Sequence, residues 1–323
     1  MSENGLIAAY QLDGSGGGTT LGWQDVKNQT EKEGLSWIHL DYTEPEAEQW
    51  LKQESGLDEL VVSALISDDP RPRSAVMKDG LLVILRGVNL NPGADPEDMV
   101  SIRLWISERR IISTRRRKLL SVTDLCNAIE QGSGPTSTGD FLVAIASRLV
   151  DRMSTVIQEI EDSTDLLEDQ VLSEYSYELR TEISGLRREA ISLRRYLAPQ
   201  RDAMMRLHTE RVPWLNEMDR LRLREVADNT MRYIEELDAI RERAIVIQEE
   251  LMSRISEQMD KRMYVLSMVA AIFLPLGFFT GLLGINVGGI PGADYKGSFL
   301  IFCFILVVVV FLQILIFRKM KWI

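Results

Sequence analysis

Metal-ligating side chains are scarce in this chain. Its 323 residues hold two histidines, His39 and His208, and two cysteines, Cys126 and Cys303, and no two of the four stand at ligand spacing. A tight tetrahedral zinc site takes four N or S ligands, so neither that chemistry nor a disulfide framework is on offer, in keeping with a reducing compartment. Cys303 lies inside an apolar run, where a small apolar role suits it. No Ser/His/Asp arrangement is present, and Asp13-Gly-Ser-Gly-Gly-Gly18 lacks the Lys-Ser/Thr of a phosphate-binding loop. The chain reads as no enzyme, with no cofactor. Basic charge is also short, 37 Lys and Arg against 48 Asp and Glu, for a net charge of −11. That balance argues against nucleic acid as partner, and the surplus carboxylates either concentrate cations or serve solubility alone. Met1-Ser2-Glu3-Asn4 has no basic and then apolar leader, so no cleaved signal is expected.

Charge disappears altogether near the end of the chain. Residues 263–283 and 297–317 are two uncharged runs of 21 residues each. Either crosses a hydrocarbon layer of about 30 Å as a helix. The Gly- and Pro-containing loop 284–296 between them fits a tight antiparallel hairpin. Lys261 and Arg262 precede the first span, and Arg318, Lys319 and Lys321 follow the second, while the loop carries only Lys296. The bias of positive charge toward the inside then puts both termini in the cytoplasm, the loop in the periplasm and the tail 318–323 back inside.

Upstream of the spans the pattern changes twice. Residues 1–134 read as a cytoplasmic α/β domain, with strands at 35–40, 81–85, 100–106 and 110–114 and helices at 44–54, 57–66 and 119–129. Gln131 to Thr138 reads as a linker by composition, and Ser137 or Thr138 suits a helix cap. Residues 135–212 read as a helical layer of two long helices hinged near Ser173. Arg115-Arg-Arg-Lys118 reads as a solvated helix start or an intersubunit ion-pair partner.

Residues 213–262 read as a stalk helix with Pro213 in its first turn, running straight into the first span. Leu237, Ile240, Ala244, Ile247, Leu251, Ile255, Met259, Met263, Leu266 and Ala270 advance along it in steps of three or four. A stripe this long needs partners, and two spans per chain enclose no pathway, so a ring of subunits is expected. A dimeric coiled coil ending in an anchor satisfies the same periodicity.

A long stalk, a first span ending in Gly284-Ile285-Asn286, a short loop, a second span and a basic Trp-containing tail resemble the CorA family of divalent-cation transport proteins. The usual tripeptide there is Gly-Met-Asn. The isoleucine, the loop Val287-Gly-Gly-Ile-Pro-Gly292 and the segment from Arg86 to Asp95 resemble the zinc-transporting ZntB branch more than the magnesium channels. The resemblance implies a homopentameric funnel in the bacterial inner membrane, moving Zn2+ as cargo through a central pore, and for that branch proton coupling. No intramembrane Asp, Glu or His supports the coupling independently.

Gly284, Ile285 and Asn286 would then form the pore mouth. An amide oxygen presents a dipole without formal charge, so a ring of asparagines holds a hydrated divalent cation and still lets it leave. Taken alone, the tripeptide is equally a helix end and turn. Counting back along the same side gives Gly277, Leu274, Ala270, Ser267, Leu266, Met263 and Asp260, an apolar lining with carboxylates at its cytoplasmic end. In the family the corresponding residues line the pore. Met263 and Leu266 are the gate candidates and also continue the stalk stripe; Asp260 is either a pore residue or an exposed partner of Lys261 or Arg262. Gly277, Gly281 and Gly284 share a side at a spacing that favours close helix packing. Pro275 should kink or loosen the first span. Two other functions fit the same elements: a Mg2+/Co2+ channel, and a membrane-tethered signalling or scaffold protein.

Overall fold

The computed structural model describes all residues except 1–3, 29–33, 78–79, 174–176, 286–289, 291, 293–294 and 320–323, and except the side chain of Tyr177. Asn286, most of the predicted loop and most of the basic tail therefore lie outside the described residues. By its own contacts the chain forms two compact units, Met1–Glu249 and Glu250–Ile323.

The first unit is built on a seven-stranded sheet in the order β2-β1-β3-β7-β6-β5-β4. The strands are β1 (Leu6–Leu12), β2 (Gly18–Thr20), β3 (Ser36–Asp41), β4 (Arg73–Met77), β5 (Gly80–Gly87), β6 (Val100–Ile106) and β7 (Arg110–Arg115). Neighbours run antiparallel except β3 and β7, which pair in parallel from Ser36–Arg110 to Asp41–Arg115. The four expected strands are β3, β5, β6 and β7. β6 is buried at every position and β5 at all but its first, the mark of a sheet covered on both faces.

Helices α1 (Trp23–Asn28), α2 (Pro45–Gln53) and α3 (Glu59–Leu65) cover one face, packing Trp50, Leu51 and Leu65 against Ile38, Leu40, Trp105 and Ile112. On the other face lie α4 (Leu120–Glu130), α5 (Thr138–Ser173) and α6 (Tyr177–Thr209), with Phe141 edge-on to Trp37 at 4.9 Å. This is the expected α/β domain with its helical layer.

The glycine-rich stretches are ordered structure. Asp13 Oδ1 accepts hydrogen bonds from Ser15 N and Gly17 N, closing the β1–β2 turn. Gly16, at φ +103°, leaves 2.7 Å between a built Cβ and Gly132 O, and Gly134 N donates to Gly16 O. The segment expected to be a linker is thus packed on the hairpin. Ser137 caps α5 as expected: its Oγ accepts from Asp140 N at 3.1 Å.

Pro199 lies inside a helix, and Pro213 does not open one as expected. α6 continues through Pro199 to Thr209, because Ala203, Met204 and Leu207 are buried and Gln200 Oε1 accepts from Arg86 N at 2.6 Å. Packing outweighs the one lost helical bond. Pro213 precedes the next helix instead of opening it. That helix, α7 (Glu217–Gly284), is capped by Asn216, whose Oδ1 accepts from Asp219 N at 2.8 Å.

The upper part of the α7 stripe is satisfied within the chain. Leu237, Ile240, Ala244, Ile247 and Leu251 are buried, and Arg243 Nη2 reaches Asp165 and Glu168 of α5 at 2.6 Å each. These positions are core, so they supply no argument for a ring; the stripe is open only further on, at Met259, Met263, Leu266 and Ala270. The basic cluster is likewise paired in cis, Arg116 with Asp68 and Arg117 with Asp98.

Candidate ion pathway

The second unit holds the end of α7 and the apolar helix α8 (Ser298–Lys319). Both are long and apolar enough to cross a membrane. α7 ends at Gly284, where the expected first span ends at 283, and α8 runs from Ser298 to Lys319, where the expected second span is 297–317. Among the described residues of this chain, α7 turns Met268, Ala271, Ile272, Pro275 and Leu276 into partial burial, a strip at helical spacing. In the same helix pair, Gln313 of α8 donates from Nε2 to Ala271 O at 3.3 Å.

The predicted lining residues avoid that strip. Asp260, Met263, Leu266, Ser267, Ala270, Leu274 and Gly277 are all exposed on the single chain, Met263, Leu266 and Leu274 at 58, 62 and 76%. Asp260 makes no ion pair with a described residue, so the expected Lys261 or Arg262 partnership is not formed. A Cβ built on Gly277, Gly281 or Gly284 meets nothing within 4 Å. Among the described residues, nothing packs closely against these glycines. Gly284 is the last residue of α7 and is absent from the positive-φ glycines, whereas Gly292 has φ +83°; Ile285 follows the helix half exposed. The predicted mouth residue Gly284 is thus also the helix end.

Acidic residues recur on the exposed face of α7 at a spacing of seven: Asp228, Glu235, Glu242 and Glu249 are all exposed. Counted on along the sequence, the same interval reaches Ser256, Met263, Ala270, Gly277 and Gly284. Two straight heptads drift by only about 40°, so residues at this spacing stay close to one side of a helix over short distances. Sequence reading missed this series because it followed the apolar positions alone. Arg224 and Arg241 offset part of the charge through Asp228 and Glu242.

Neither histidine belongs to a metal-ligating group among the described residues. His39 is buried in β3 with Nδ1 2.8 Å from Ser113 Oγ, which also accepts from Trp37 Nε1. Burial, and then the positive Arg115, push the His39 ring down to about 3, so it stays neutral. His208 Nδ1 lies 3.0 Å from Arg220 O, joining the end of α6 to the start of α7. Among the described residues no group of three or more His, Cys, Asp or Glu is arranged to hold a metal ion. Any cation handled by these residues is met by exposed carboxylates and backbone or amide oxygens, which suit a hydrated, exchangeable ion.

Comparison with known proteins fits this arrangement. The model of the family of CorA-like Mg2+ transporter proteins matches residues 32–319, and the chain belongs to that family. Zinc transport protein ZntB of Pectobacterium carotovorum subsp. carotovorum is 40% identical over 322 residues, covering 100% of this chain and 97% of that protein. Divalent cation transporter CmaX of Pseudomonas aeruginosa is 42% identical over 328 residues, covering 99% and 97%. The structure of a full-length CmaX protein superposes with a TM-score of 0.86 at 40% identity, covering 100% of this chain and 99% of that one. The α/β domain, long helix and two apolar C-terminal helices are the architecture shared across that match.

Proposed function

We propose that the chain is a divalent-cation transporter that moves Zn2+ through the centre of a homopentamer in the bacterial inner membrane. The observation that carries this reading is the likeness to ZntB and CmaX proteins over the full length, apolar helices included. Both termini face the cytoplasm and residues 284–296 face outward, following the basic residues that flank the spans. Gly284, Ile285 and Asn286 form the outer mouth. Asp260, Met263, Leu266, Ser267, Ala270, Leu274 and Gly277 line the path, with Met263 and Leu266 as an apolar constriction that closes by dewetting. Their exposure on the single chain supports this role, since α8 leaves that side of α7 uncovered.

Zinc crosses with much of its water. The exposed Asp228, Glu235, Glu242 and Glu249 raise the local cation concentration on the cytoplasmic side without binding tightly. Transport runs on ion gradients, and proton coupling enters only through the likeness to the zinc branch. A broader selectivity is the second reading, favoured by the 42% identity to a protein named for divalent cations in general. Flux of Zn2+, Mg2+ and Co2+ into vesicles holding the purified protein, with a pH dye inside, separates the two. Zinc flux above magnesium flux supports the first, and comparable rates support the second.

A further inference from the structure

An α-helical carbonyl normally accepts from the N–H four residues on. Four residues after Ala271 stands Pro275, which has no N–H, so the Ala271 carbonyl loses its helical partner. α7 nevertheless continues unbroken through Pro275 to Gly284. The missing donor comes from the other helix: Gln313 Nε2 donates to Ala271 O at 3.3 Å, reaching 42 residues back along the chain. Gln313 Oε1 is buried and has no partner.

In hydrocarbon both facts matter. An unpaired backbone carbonyl is costly there, and so is a glutamine with half of its amide unsatisfied. A residue kept at that cost in an apolar helix is there for the bond it does make. Gln313 stands among Ile, Leu, Val and Phe in residues 304–317, the only polar side chain in that run. Ala271 and Pro275 each sit beside a proposed lining residue, Ala270 and Leu274.

We propose that Gln313 is a positioning residue for ion passage: it supplies the donor that Pro275 removes and so holds α7 at the level of Ala270 and Leu274. The contact is within one chain. The inference rests on the reading of α7 as the pore helix, but the contact itself does not.

A double-mutant cycle on the full-length protein tests it, using Gln313→Met, Pro275→Ala and the pair. Two quantities are read: the thermal midpoint in detergent, and the rate of divalent-cation uptake into vesicles for whichever of Zn2+, Mg2+ and Co2+ the parent moves fastest. In the parent, Gln313→Met should lower the midpoint and change the flux about three- to twentyfold, the range that one interhelical hydrogen bond in a membrane carries. With Pro275→Ala the Ala271 carbonyl regains its helical donor, so adding Gln313→Met should then leave the flux unchanged and the midpoint unchanged or higher, because an unsatisfied amide is removed. Equal effects of Gln313→Met in both backgrounds overturn the proposal, as does no effect in the parent. Coupled midpoints with equal fluxes leave a packing bond and overturn the role in passage. A parent that moves none of the ions contradicts the function proposed above, while the midpoints still decide the contact.

Discussion

Gly139 lies so close to Asp219 that a Cβ on the glycine would overlap the carboxylate oxygen Oδ2. The contact seats the first turn of α5 against the first turn of α7, with Trp214 O also within 3.3 Å of that Cβ position. Gly139→Ala should therefore destabilise the first unit by about 1–3 kcal/mol, the cost of overpacking a tight contact. Asp219→Ala in the same chain should recover much of the loss. Thermal melts of the three variants check this, and an Asp219→Ala change that fails to relieve Gly139→Ala would place the clash elsewhere.

His39 gives the fold an acid-sensitive element. Its ring is held neutral down to about pH 3, whereas an unfolded histidine protonates near 6.5. Between those values the unfolded chain binds the extra proton, so stability falls as pH falls, by up to about 1.4 kcal/mol per pH unit from this group. His39→Gln should flatten the dependence of stability on pH below 6.5. Denaturant titrations at pH 7, 6 and 5 would show an unchanged slope if the ring were already charged in the fold.

Glu189 acts in the opposite sense. Burial first, and then the carboxylates of Glu97, Asp95 and Glu159, raise it to about 7 from 4.5. The folded state keeps a proton that the unfolded state has released, so its contribution is lost as pH climbs from 4.5 to 7. Glu189→Gln should raise the melting midpoint at pH 8 and make little difference at pH 4.5. A midpoint difference independent of pH would contradict this.

The acidic series on α7 predicts a salt-dependent flux. Replacing Glu235, Glu242 and Glu249 together by glutamine should lower uptake or release from the cytoplasmic side about tenfold at low ionic strength, and much less at high salt. The three are exposed, so folding should be untouched. Equal flux at low salt would remove them from the path.

Much of this molecule is legible in its sequence, and the failures share a cause. β3, β5, β6 and β7 carry dense runs of branched and aromatic residues, and each was found. β1 and β2 hide behind Ala8, Ala9 and a glycine-rich turn, and β4, Arg73-Ser-Ala-Val-Met77, is a five-residue edge strand with one β-branched residue and no aromatic one. Their pairing is set by neighbours far away in sequence. Ser137 was readable as a cap because capping is local. The end of α6 was not, because past Pro199 the helix is held by Gln200, bonded to Arg86 of β5, and by Met204, buried and beside Thr230 of α7. The α7 stripe was seen, but sequence cannot say whether its partner is another chain or α5 and α6 of the same one. Gln313 looked like one uncharged residue in an apolar run; the signal was Pro275, whose absent N–H implies a donor from elsewhere. The lining residues were placed by counting back from Asn286, and the structure leaves them on the uncovered side of α7.

The central claim is that cations pass the end of α7. Its most direct test is Zn2+ flux into vesicles holding the purified full-length protein, compared between the parent and Asn286→Ala, with Mg2+ flux measured alongside. The account predicts zinc flux faster than magnesium flux in the parent, and a loss of about tenfold or more in Asn286→Ala if the amide ring contributes a transition of roughly 1.4 kcal/mol. Flux in the parent no greater than in protein-free vesicles would contradict it, as would equal zinc flux in the two proteins.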